Sequence, residues 1–283
     1  MKGLSDLCKR KLNLNIMTKI YKNYSFLILL LGVVFSSQSQ NLVSVINYSD
    51  IEDKVTRYGA DSSQRNEKVN YDLWEVLLQK HVSSDGQVNY EGFKKDSSKF
   101  NEFLRIISKT RINSSWSKRD KMAFWINAYN AYTVKLIINN YPTKSIKSIK
   151  GPWKTKFFSI NGTPMSLGEI EHKILRNFGD PRIHFAINCA SASCPRLIQV
   201  PFKASNLERL LERQTKEFIN NPFYNTITEY TVNVSKLFDW YKKDFKEDSG
   251  TVTNFINKYS DVNVKDQEEK GYKAYDWSLN SKK

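Results

Sequence analysis

The sequence is poor in cysteine, lacks any block of like charge and lacks an apolar run long enough to span a membrane. Its three cysteines are Cys8, Cys189 and Cys194. That number is too small for a disulfide framework. Basic residues outnumber acidic ones, 44 to 29, but they are scattered, with no run of five like charges. A dispersed positive charge aids solubility and does not point to nucleic acid. Internal repeats and low-complexity linkers are also missing.

The longest apolar run is Phe26 to Phe35, FLILLLGVVF. It is too short for a relaxed membrane span of about 20 residues. Lys19 and Lys22 precede it, and Ser37-Gln38-Ser39 follows with small residues at both flanks of the middle position. A positive flank, a short apolar core and a small-residue exit describe a secretory signal peptide. Residues 1–39 are expected to be that peptide, with Met17 as its start, and an uncleaved anchor is the alternative. No cysteine stands at the exit to carry a lipid. The expectation is an exported protein, periplasmic or secreted, with no stable membrane span after cleavage. Removing residues 1–39 takes away six basic residues and one acidic one, so the net charge falls from +15 to +10.

Residues 40–68 are polar and aperiodic and read as a leader. A domain is expected over 69–280, with residues 281–283 as a tail. Leu73, Trp74, Leu77 and Leu78 recur at helical spacing, as do Phe100, Phe103, Leu104 and Ile107. Ser117 caps a third helix to about Asn139, stopped by Pro142. Asn161-Gly162 predicts a tight hairpin turn. Ser166 and Glu169 have capping-box spacing and open a fourth helix closed by Gly179. Ser205 and Glu208 repeat that spacing before another helix. Ile183 to Cys189 alternates as a strand does. Tyr230 to Val234 is a predicted strand, Ser235 to Phe245 and Val252 to Tyr259 are predicted helices, and the residues around Tyr275 and Trp277 suggest a closing strand. The fold class is α+β, a single domain with a small sheet covered by several helices.

Few residues carry chemistry. His81, beside the Asp85-Gly86 turn, reads as surface decoration. Glu169, His172 and Arg176 share a polar helix face at i, i+3 and i+7. His184 lies among apolar residues, either buried and hydrogen-bonded or aimed into a pocket. Cys194 precedes Pro195, which biases it to extended geometry, in a loop just past His184. A thiol needs an adjacent base to become a nucleophile, and His184 or His172 is the candidate base. Asn188 or a loop N–H is the candidate oxyanion donor. A Cys189–Cys194 disulfide competes with this reading in an oxidising compartment. Metal ligation is a weaker alternative, because C-x4-C sits at the edge of ligand spacing. Asn127 and Asn130, one turn apart among aromatics on the third helix, either tie it to a loop or line a pocket. No metal centre and no cofactor is expected.

Several of these residues fall in motifs that resemble a known family. Phe124-Trp125-Ile126-Asn127-Ala128-Tyr129-Asn130-Ala131 looks like the signature helix of domain-of-unknown-function family 547. Ser166-Leu167 through Arg176, Asp180 through Asn188, Ser193-Cys194-Pro195, and Ser235 through Phe245 match in order. The end, Tyr275 through Asn280, resembles the tail of bacterial members. The resemblance covers about Val69 to Asn280 and implies no assigned chemistry. A weaker similarity links the chain to papain-like and transglutaminase-like thiol enzymes. Their cysteine precedes their histidine, whereas Cys194 follows His184, so no triad is carried over.

Two functions remain open at this point. One is a thiol-dependent hydrolase or acyl transferase on amide or ester bonds, with Cys194 as nucleophile, His184 or His172 as base, and Asn127, Asn130, Arg176 and Asn188 lining a cleft. The other is a non-catalytic binding or scaffolding domain of the cell envelope. Neither names a substrate or a partner.

Overall fold

The computed structural model describes residues 68–265 and 269–282. The predicted signal peptide and nearly all of the leader lie outside the described residues. Helix α1, Asp72–His81, buries Trp74, Leu77, Leu78 and His81. The short α2, Tyr90–Lys95, starts where the Asn89 side chain accepts the Gly92 N–H. Helix α3, Ser97–Lys109, turns Phe100, Phe103, Leu104 and Ile107 inward, and Phe103 stacks on Trp74 at 5.3 Å.

Helix α4, Lys118–Asn139, begins with a capping box between Ser117 and Asp120. Fifteen of its 22 residues are buried, so it is enclosed on every side rather than amphipathic. That burial decides the fate of its two asparagines, because a buried amide needs partners.

Strands β1, Phe158–Ile160, and β2, Thr163–Met165, form an antiparallel hairpin. Asn161 and Gly162 both take positive φ, 49° and 77°, as the sequence predicts. Ser166 and Glu169 close the expected capping box on α5, Leu167–Glu169. The chain then continues as a π-helix over Ile170–Leu175 and a 3-10 turn over Arg176–Phe178. Gly179 ends it in the left-handed region.

Beyond Gly179 the structure departs from the sequence reading. Ile183 to Cys189 does not form a strand. Asp180 accepts the Arg182 N–H, Pro181 occupies the first turn, and Pro181–Phe185 winds as a 3-10 helix. An acceptor followed by proline is a helix-start signal that overrides a short alternation. Helix α6, Leu207–Ile219, starts at Asn206 with no side-chain cap, so Ser205 and Glu208 form no capping box.

Strands β3, Thr226–Ile227, and β4, Thr231–Val234, pair antiparallel. The predicted helix over 235–245 is two: α7, Leu237–Trp240, and α8, Lys242–Ser249. Helix α9 spans Val252–Asn257, and β5, Glu269–Tyr272, runs parallel to β4. Tyr275 and Trp277 lie outside any strand. Their extended segment instead receives the Ala192 N–H at Ser278 O and the Ser193 N–H at Asp276 O. The class is α+β, and among the described residues a two-stranded and a three-stranded sheet stand in place of one. Among the described residues, no helix is long and apolar enough to cross a membrane.

Two apolar clusters share the core. One gathers α1 to α4 with Ile183, and the other surrounds Phe185, Phe238, Phe245 and Phe255. His184 stands in sequence between Ile183 and Phe185, at the seam of the two.

Candidate functional site

His184 is held from three directions. Its side chain is fully buried, and Nε2 lies 2.8 Å from Oδ2 of Asp244 on α8. Tyr241 stacks on the ring at 3.7 Å, and Phe245 meets it at 5.7 Å. Asp244 is fixed by Arg176, whose Nε and Nη2 donate to its two oxygens at 2.7 and 2.5 Å. A carboxylate only accepts, so the proton between the pair is assigned to Nε2. Nδ1 is then a bare lone pair. It is buried and, among the described residues, has no hydrogen-bond partner.

Electrostatics support the same protonation state. Burial lowers the His184 pKa below its usual value, and the hydrogen bond to Asp244 only partly opposes this. Burial acts to raise the Asp244 pKa, but hydrogen bonds from Arg176 and His184 outweigh it and hold the group ionised. A neutral imidazole beside an ionised carboxylate is the arrangement of a general base with its orienting group.

Next to His184, a cavity of about 200 Å³ opens. Cys189 and Cys194 both line it, together with Tyr129, Glu171, His172, Tyr241 and the tryptophans Trp153, Trp240 and Trp277. The two cysteines are free thiols, so no disulfide joins them. Among the described residues, no cluster of His, Cys, Asp and Glu is placed to hold a metal.

The loop that presents the cysteines is tightly tied. Asn188 donates from Nδ2 to Pro195 O at 2.7 Å and accepts the Ala190 N–H at 2.9 Å. Ala190 sits at φ 61°, a left-handed position that costs an alanine energy and that the Asn188 bond helps hold. The Cys189 N–H donates to Cys194 Sγ at 2.8 Å. Cys194 is buried, whereas Cys189 is partly open, with its Sγ 3.2 Å from Ser191 Oγ and 3.4 Å from Tyr275 Oη. Burial, reinforced by the neighbouring Cys189, pushes the Cys194 thiol well up. Burial also opposes ionisation of Cys189, but hydrogen bonds from Cys194, Ser191 and Tyr275 outweigh it and bring that thiol down.

The other expected residues fall into two groups. His172 does line the cavity, half-exposed, with Nδ1 3.9 Å from Glu171. Asn127, Asn130, Asn188 and Arg176 do not line it. Asn127 donates to Ala123 O and Phe202 O and accepts the Phe202 N–H. Asn130 donates to Ala186 O and accepts the Asn188 N–H. Both asparagines tie α4 to loops, and Asn130 fastens the segment that carries the cysteines. Asn188 gives one amide N–H to Pro195 O and stands outside the cavity lining, so it is not placed as the oxyanion donor. Arg176 spends its guanidinium on Asp244, and Glu169, His172 and Arg176 do not act as one face. The π-helical stretch between them replaces i→i+4 bonding by i→i+5, which breaks the α-helical spacing. His81 is a further correction. It is 5% exposed, with Nε2 2.7 Å from Asp96 Oδ2, so it is a core histidine.

Asp244, Glu171 and Tyr241 carry the site, and sequence reasoning assigned them no role. All three stand inside the motifs quoted above, which was the available signal. Glu171 is 4% exposed and accepts hydrogen bonds from Tyr129 Oη, at 3.1 Å, and from Tyr241 Oη.

Residues 113–219 match the family model described as "Protein of unknown function, DUF547". The match bears out the resemblance over the motifs from Phe124 to Pro195, and it includes His184, Cys189 and Cys194; the segments at 235–245, with Asp244, and at 275–280 lie beyond it. No curated protein and no solved structure matches the chain.

Proposed function

We propose that the cavity is a thiol acyl-transfer site in which Cys189 is the nucleophile, His184 the base and Asp244 the orienting carboxylate. The observation that carries this reading is the His184 ring, fixed at Nε2 and bare at Nδ1, in a cavity shared with a thiol whose pKa is brought down. Cys189 takes the part expected of Cys194, because Cys189 is partly open whereas Cys194 is buried.

The chemistry follows from those roles. His184 Nδ1 accepts the Cys189 thiol proton as Sγ attacks an amide or ester carbonyl carbon. The carbon–sulfur bond forms, and the tetrahedral intermediate collapses by breaking the bond to the leaving nitrogen or oxygen. The imidazolium returns its proton to that leaving group. Water or an acceptor amine then attacks the thioester, again giving a proton to His184, and the thiol is regenerated. The imidazolium formed in each half is stabilised by Asp244.

Export belongs to the same proposal. It rests on the apolar run at residues 26–35 with its basic flank, and N-terminal sequencing of the protein from the cell envelope tests it. A start near residue 40 is the expected result.

An activated ester, p-nitrophenyl acetate, tests the chemistry. The expected result is a burst of nitrophenolate with a single acetyl group found on Cys189 by peptide mass spectrometry, and no burst from Cys189→Ser. Absence of acylation in the folded wild-type protein would favour the binding-domain reading instead.

A further inference from the structure

The charges around the cavity do not balance. Arg176 and Asp244 cancel each other through their paired hydrogen bonds, and His184 is held neutral by its geometry. Glu171 remains, with its side chain 5% exposed. Its hydrogen bonds come from two neutral phenols, Tyr129 and Tyr241. Among the described residues, its sole ion-pair candidate is the half-exposed His172, at 3.9 Å. A buried carboxylate is ordinarily matched by a cation. Each phenol supplies one proton, so lone pairs on the carboxylate remain free.

Trp153, Trp240 and Trp277 line the same cavity as Glu171 and form an aromatic wall. Trp240 lies 5.6 Å from Trp277 and 4.8 Å from Tyr275, and Trp153 meets Trp277 at 5.9 Å. Trp240 is 45% exposed, an unusual condition for so large an apolar ring. Ring faces attract cations, and this wall already does so, since Lys147 Nζ sits 5.1 Å from the Trp277 centroid.

We infer that the cavity seats a monovalent organic cation of the substrate, an alkylammonium or guanidinium group, between Glu171 and the Trp153–Trp240–Trp277 wall. This deepens the acyl-transfer reading and rests on it for the word substrate. The preferred substrate class becomes an amide or ester that bears a cationic group a few bonds from the scissile carbonyl. An anionic group is disfavoured there by Glu171. A cavity of about 200 Å³ admits a group of side-chain size.

The experiment uses Cys189→Ser protein, so binding is read without chemistry. Tryptophan fluorescence is titrated with n-butylammonium, with n-butanol as its neutral counterpart and with butyrate as its anionic one. The expected result is saturable quenching by n-butylammonium at a concentration at least tenfold below that needed for n-butanol, and none by butyrate. Glu171→Gln, which keeps an acceptor for the phenols, should abolish the preference for the ammonium. Trp240→Leu, at an exposed position, should weaken n-butylammonium binding at least threefold while the melting temperature holds. Equal binding of n-butylammonium and n-butanol would overturn the inference. So would an ammonium preference that survives Glu171→Gln. Cation binding in a protein whose Cys189 proves unreactive would retain the cation site and remove the acyl-transfer reading, so the two failures are distinct.

Discussion

Asp244 lies 2.8 Å from Nε2 of His184, although sixty residues separate them and they stand on different elements. This contact joins the α8 helix to the 3-10 turn that carries the histidine, and Arg176 makes it a three-member network. Removing the centre of such a network leaves a guanidinium and an imidazole N–H without their partner.

Asp244→Ala is therefore expected to be the most damaging surface-adjacent change in the site. Breaking a buried ion pair by deleting one member costs about 3–5 kcal/mol, and the partial exposure of Asp244 places the expected loss at the lower end. Urea unfolding measures it. A loss below about 1 kcal/mol would show that the network does not support the fold.

Acidification should weaken the fold from two groups acting in the same sense. The folded His184 pKa lies below its ordinary value of 6.5, so the unfolded chain takes up that proton first. This contribution is intact above pH 6.5 and declines as the pH falls below it. Asp244 is depressed below its ordinary 3.8. Its contribution is present above that value and is lost as the pH falls further toward the depressed one. The urea midpoint should accordingly drop between pH 7 and pH 5, and a midpoint that stays level or rises there would contradict the assignment.

Gly86 and Gly162 separate two kinds of glycine requirement. Both have positive φ, 86° and 77°. A Cβ on Gly86 would come 2.3 Å from the Arg196 Cβ and 3.1 Å from its Cα, whereas one on Gly162 would meet nothing within 4 Å. Gly162→Ala should cost about 1 kcal/mol, from backbone conformation alone. Gly86→Ala should cost clearly more, because main chain must move. Thermal unfolding of the two variants checks the order, and equal losses would refute it.

Asn130→Ala tests whether the central helix positions the cysteine loop. It removes the bonds to Ala186 O and from the Asn188 N–H. Leaving those buried groups unpaired costs about 1–3 kcal/mol each. Alkylation of Cys189 should lose its selectivity over Cys194 in this variant even where the protein remains folded. Selectivity equal to wild type would mean that the loop holds its shape unaided.

Local patterns in the sequence foretold local structure. Helix α4 with its Ser117 cap, the Asn161-Gly162 hairpin and the Ser166–Glu169 box all depend on residues within a few positions of one another. The errors arose where a nearby competing signal decided the outcome. Asp180-Pro181 turned an alternating stretch into a 3-10 helix, and the π-helical segment disrupted the expected face of Glu169, His172 and Arg176. His81 looked like a surface residue because Asp96, its partner, lies fifteen positions away. The site was legible in part. His184, His172 and the thiols were recognised, but Asp244 and Tyr241 reach His184 only through tertiary packing, and no spacing rule carries that information. Asn127 and Asn130 stand out one turn apart among the aromatics of a helix, and burial makes that oddity structural hydrogen bonds.

The central claim is that His184 activates Cys189. The most direct test is the rate of iodoacetamide alkylation of Cys189 in the folded protein at pH 7, in wild type and in His184→Asn, with sites assigned by peptide mass spectrometry. The account predicts that Cys189 reacts before Cys194 and that His184→Asn slows Cys189 by at least tenfold. Equal rates in the two proteins, or Cys194 reacting first, would contradict it.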